Sequence, residues 1–111
     1  MCPGIDLNTS LASRRIAGDH PGKVLWSTGL HPHEAVRWEE EGARIIALAS
    51  DATAIGECGL DYYRDLAPRG VQRSVFTEQV KLARDLDKPI IVHTRDAFSD
   101  VYDILAAADL G

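Results

Sequence analysis

Glu57 and His93 are the two residues whose type and place most directly suggest chemistry. Each closes a short apolar run, Ala54-Ile55-Gly56-Glu57 and Ile90-Ile91-Val92-His93. Runs that are apolar on both faces read as strands of a parallel sheet covered on both sides. The carboxyl ends of such strands are where α/β and barrel enzymes carry their reactive groups. Side chains alternate along a strand, so Glu57 is expected to share a face with Ile55, and His93 with Ile91. If those faces line a barrel interior, an oxygen donor and a nitrogen donor converge at its mouth. That pair suits Zn, Mn or a similar divalent metal. Salt bridges and loop caps use the same placement, so these two residues alone leave both readings open.

Other polar residues stand close by in sequence. His31 and His33 bracket Pro32, and His31 could orient a substrate phosphate; a rigid, capped loop is the structural alternative. Arg95, two residues past His93, could clamp a phosphate with paired hydrogen bonds, or instead pair with Asp96 or Asp61. Asp61 could orient His93 or Arg95, or cap a helix start. Cys58 reads as a small packing residue, and Tyr62-Tyr63-Arg64 as loop surface rather than a base-stacking platform.

The elements that must position these groups follow a regular order. Strands are expected at Lys23–Leu30, Thr53–Glu57 and Pro89–His93, with Cys2–Asp6 as the tail of an earlier one. Helical spacing is expected over Leu11–Ala17, Glu34–Ser50, Val71–Leu86 and Asp96–Ala108. Strands alternating with helices indicate βαβ units and a parallel sheet, hence an α/β fold.

With 12 basic and 17 acidic residues the net charge is −5. A protein that holds DNA by neutralising phosphates presents a basic face, and no Lys/Arg cluster is visible here. A stable nucleic-acid complex is therefore not expected, although a metal-assisted nuclease remains compatible with this charge. Two cysteines 56 positions apart imply no disulfide framework. No run approaches the ~18 apolar residues of a membrane span. The expected setting is cytoplasmic, without membrane association.

Three blocks occur in order: Gly29-Leu30-His31-Pro32-His33-Glu34, Ala54-Ile55-Gly56-Glu57-Cys58-Gly59-Leu60-Asp61-Tyr62 and Pro89-Ile90-Ile91-Val92-His93-Thr94-Arg95-Asp96-Ala97. Together the chain resembles the TatD family of metal-dependent deoxyribonucleases, over about residues 24–105. The resemblance implies a partial (β/α)8 TIM-type barrel of about four βα units, with residues 1–111 supplying strands 2 to 5. It implies Glu57 and His93 as metal ligands and a divalent cation (Mg, Mn or Zn) as cofactor. It also implies DNA as substrate, cleaved by metal-activated water, with His31 and Arg95 as substrate-binding candidates. No residue is assigned as catalytic with certainty. The family's H-x-H opening and its later His and Asp blocks are not found in these 111 residues. The chain is therefore expected to be a fragment with little nuclease activity alone, able to self-associate through open sheet edges. Two other readings remain: a non-catalytic half-barrel, and an amidohydrolase-like barrel acting on an amide or lactone.

Overall fold

The computed structural model describes residues 3–108. Helix α1 (Leu7–Asp19) begins four residues earlier than its apolar spacing suggests. The reason is a reciprocal cap: Asp6 Oδ1 accepts from the Thr9 N–H at 2.8 Å, and Thr9 Oγ1 accepts from the Asp6 N–H at 2.9 Å. The expected strand tail over Cys2–Asp6 lies partly outside the described residues, and positions 3–6 form no strand. They are nonetheless held to the sheet region. The Gly4 carbonyl accepts from Glu57 N–H, and the Ile5 carbonyl accepts from His31 N–H at 2.8 Å.

Three parallel strands follow, β1 (Ser27–Thr28), β2 (Ala54–Asp61) and β3 (Ile90–Arg95), in that spatial order. The parallel α/β architecture is as expected, with three strands among the described residues. Strand boundaries differ in ways that matter for the site. β1 is two residues long, whereas Lys23–Leu30 reads as a longer strand. β2 runs four residues beyond Glu57, so Asp61 rather than Glu57 ends it. β3 continues to Arg95.

The helices lie over one face of this sheet. The segment expected as one helix over Glu34–Ser50 is a 3-10 helix, Pro32–Arg37, followed by α2 (Trp38–Ala49). Helix α3 (Arg69–Leu86) is the longest, and α4 (Phe98–Ala107) closes the described order. Trp26, Leu30, Ile45 and Leu48 form one apolar cluster. Cys58 and Leu60 pack with Phe76, Val80 and Val101 in a second, and Ile55 meets Ala49 and Ala83 in a third. Each fully buried large aliphatic or aromatic contributes about 1.5–3 kcal/mol, so these contacts fix β2 against α3.

The expected alternation fails at one place. Ile55, Cys58 and Leu60 all pack toward the helices, which a two-residue period cannot accommodate. The β2–β3 register shifts between Ile55 and Cys58. The simple alternation expected to carry Glu57 onto the face of Ile55 is therefore interrupted at this stretch. Alternation from Cys58 onward puts Gly59 and Asp61 on the side turned away from the helices.

Candidate metal centre

That face gathers the site. His93 lies opposite Gly59 in the β2–β3 register, and Asp61 lies opposite Arg95. Gly59 has φ +139°, and a Cβ there would run into the His93 carbonyl. Only glycine lets the two strands close this tightly beneath the histidine.

Asp61 joins the pieces. Its side chain is 1% exposed. Oδ2 accepts from His33 Nε2 at 2.8 Å and from His93 Nε2 at 3.0 Å. Oδ1 accepts from the Tyr63 and Arg64 N–H groups at 3.1 and 2.9 Å. Orienting a histidine and capping a turn, weighed as alternatives for this aspartate, are both present. Burial pushes its carboxyl up, but the Arg64 N–H and the two imidazole bonds outweigh this and hold it well below the usual carboxylate range.

His31 completes the cluster. Its Nδ1 accepts from the His33 N–H at 3.2 Å, in the cap of the 3-10 helix that Pro32 opens. Its ring centroid lies 4.3 Å from that of His33 and 4.6 Å from that of His93. Burial, and then the neighbouring His33 and His93, lower the His31 pKa to about 4, with Asp61 opposing. The ring is thus neutral at physiological pH, and because a neutral imidazole has a single acceptor nitrogen, ligating a metal would cost it the His33 N–H bond.

One ligand atom from each of His31, His33 and His93 lies within 4.8 Å of the others. Three nitrogens evenly spread around one ion at about 2.1 Å stand at most about 3.6 Å from one another, so the rings would draw closer on a cation. A neutral imidazole that donates through one nitrogen keeps a lone pair on the other. A carboxylate behind the rings is the usual partner that fixes their orientation. The cluster could hold a metal ion.

The residues singled out from sequence fall in different places. His93 and His31 enter the cluster together, and His33, the less favoured of the loop pair, joins them. Glu57 lies two positions before Gly59 in β2, and its carboxylate is not in the group within 4.8 Å. Arg95 pairs with neither Asp61 nor Asp96 among the described residues; its guanidinium sits 3.9 Å from the Tyr63 ring centroid. Cys58 is fully buried, and burial followed by the Glu57 charge pushes its thiol up, so it is no nucleophile. Two glutamines, Gln72 and Gln79, escaped the sequence reading. Their signal was present, because both fall on the buried stripe of α3 that Val75, Phe76, Val80 and Ala83 define.

A family model described as TatD related DNase matches residues 1–111. The chain is 39% identical over 105 residues to the 3'-5' ssDNA/RNA exonuclease TatD of Yersinia pseudotuberculosis, covering 92% of this chain and 40% of that protein. It is 50% identical over 76 residues to the protein of the same name from Cronobacter sakazakii, covering 65% of this chain and 29% of the relative. The chain thus spans about 40% of the length of the first of these relatives. Among solved structures, a TatD homologue from Escherichia coli K12 superposes with a TM-score of 0.77 at 23% identity, over 97% of this chain and 43% of that one. An uncharacterized amidohydrolase from Saccharomyces cerevisiae gives 0.72 at 22%, over 93% and 38%. The fold is part of a TIM-type barrel.

Proposed function

The chain belongs to the TatD-related DNase family, and from that premise we propose that it carries part of a metal-dependent centre for hydrolysing phosphodiester bonds of single-stranded DNA or RNA. The observation that carries this reading is the convergence of His31, His33 and His93 beside the carboxyl ends of parallel strands, with buried Asp61 behind two of them.

The three imidazoles would hold a divalent cation, and Glu57 would add an oxygen donor. Nitrogen-rich donor sets favour Zn over Mg, and an added carboxylate oxygen makes room for Mn. A bound cation supplies a Lewis acid for the phosphoryl group and a water of lowered pKa. The chain's own residues do the rest. Asp61 keeps the His33 and His93 rings in one orientation and balances positive charge at the site. Arg95, held over Tyr63 at the end of β3, offers guanidinium donors to non-bridging phosphate oxygens. With an overall charge of −5, cations rather than a basic surface bring the substrate backbone in.

Calorimetric titration of the purified chain with Zn2+, Mn2+ and Mg2+ decides the first step. One equivalent of Zn2+ or Mn2+ should bind, with His93→Ala weakening it at least roughly tenfold. No binding of any of the three would sink the proposal. Where turnover is detected, a panel of single-stranded DNA, amides and lactones assigns the bond class. Amide or lactone cleavage with DNA untouched would favour the amidohydrolase-like reading.

A further inference from the structure

Gln72 and Gln79 are buried amides on the side of α3 that packs against the sheet. They stand seven residues apart, about 10.5 Å along the helix. Each clasps a single residue's backbone by both of its polar groups. Gln79 Oε1 accepts from the Leu30 N–H at 2.8 Å, and its Nε2 donates to the Leu30 carbonyl at 3.1 Å. Gln72 Oε1 accepts from the Asp61 N–H at 2.8 Å, and its Nε2 donates to the Asp61 carbonyl at 3.2 Å. Gln72 Nε2 also reaches the Ala67 carbonyl at 2.8 Å.

The two clasped residues are not arbitrary points on the backbone. Leu30 immediately precedes His31, beyond the end of β1, and Asp61 is the last residue of β2 and the acceptor for His33 and His93. Apolar side chains would fill the same volume without the cost of burying an amide. The amides instead satisfy backbone groups where the sheet ladder gives out. One rigid helix thereby grips both places from which the histidine cluster hangs.

We propose that Gln72 and Gln79 are positioning residues of the histidine centre, α3 setting through them the distance between the His31–His33 segment and the Asp61–His93 pair. This rests on reading the cluster as the functional centre.

The test uses the metal-free chain with 15N-labelled histidine, following the ring nitrogens by NMR, together with Zn2+ titration. Gln72→Met should move the ring signals of His93 and His33, which Asp61 orients, and Gln79→Met those of His31 and His33, which follow Leu30 in the chain, each weakening Zn2+ binding roughly tenfold. Phe76→Leu, which loosens the same helix by packing alone, is the control and should leave the rings in place. Should a methionine variant not fold, the corresponding glutamate variant replaces it. Its buried neutral acid still accepts from N–H and donates to C=O, so ring signals should match those of the wild type at the same pH while the acid is neutral and diverge from them as it ionises. Rings unmoved by the glutamine substitutions, or moved equally by Phe76→Leu, overturn the proposal. Native ring responses without Zn2+ binding by the wild-type chain would remove the proposed function and leave the positioning role standing.

Discussion

Nε2 of His93 lies 3.0 Å from Oδ2 of Asp61, a carboxylate 1% exposed to solvent. The bond crosses from β3 to β2, so the orientation of the histidine is fixed by a neighbouring strand. Replacing the aspartate tests how much depends on it. Asp61→Ala removes acceptors for two imidazoles and two backbone N–H groups at once. A loss of about 3–5 kcal/mol is expected in urea unfolding. Asp61→Asn keeps the shape and one acceptor oxygen, and should cost less than half as much while still weakening Zn2+ binding roughly tenfold. Equal stability of the wild type and the alanine variant would contradict the bridging role.

His31 makes stability depend on pH in a defined window. Its pKa is lowered from 6.5 to about 4, so between these values the unfolded chain binds a proton that the folded chain does not. Stability is then fully present above 6.5 and falls as pH drops toward 4. The loss attributable to this ring is at most about 3 kcal/mol, and solvent screening reduces it. Urea unfolding of the metal-free protein at pH 7.5 and 5.0 should show the decline, and His31→Asn should flatten it. The low pKa of Asp61 acts separately, removing stability only below its ordinary value near 3.8.

Two glycines should respond in opposite directions. Gly59 combines φ +139° with a Cβ position blocked by the His93 carbonyl. Gly59→Ala should therefore destabilise by about 3 kcal/mol or more, and should disturb the His93–Asp61 bond by forcing β2 and β3 apart. Gly18, within α1, has nothing near its would-be Cβ. Gly18→Ala should stabilise by about 0.5–1 kcal/mol through helix propensity. Thermal unfolding of the pair reads both signs, and a neutral Gly59→Ala would show that the close approach is not needed.

The legible part of this fold was what local pattern controls. The apolar run Ile90-Ile91-Val92 announced β3, and the spacing of Val75, Leu82 and Leu86 announced α3. The end of β2 was not legible. Gly59 lies beyond the strand expected to end at Glu57, yet it sits inside β2, where the His93 carbonyl leaves no room for a Cβ. That misplaced the strand end at Glu57 and concealed Asp61 as the residue at which the histidines meet. His33 was undervalued for a similar reason. Two histidines at i and i+2 in a loop need not converge, and the 3-10 helix opened by Pro32 brings their rings to 4.3 Å with His33 turned to Asp61. Gln72 and Gln79 were visible as polar interruptions of a buried stripe, but their partners, Asp61 and Leu30, are fixed by tertiary structure alone.

Glu57 separates a ligand role from a structural one. Its side chain makes no hydrogen bond among the described residues, and it stands four residues before Asp61 in β2. Glu57→Gln should leave urea unfolding within about 0.5 kcal/mol of the wild type, because no fixed partner is lost. If its carboxylate turns toward the ion when metal enters, the same substitution should weaken Zn2+ or Mn2+ binding at least roughly tenfold, since an anionic oxygen donor becomes a neutral amide. Calorimetric titration of the two chains measures the affinity. Unchanged affinity in Glu57→Gln would leave the three imidazoles as the chain's whole donor set and exclude the glutamate from the centre.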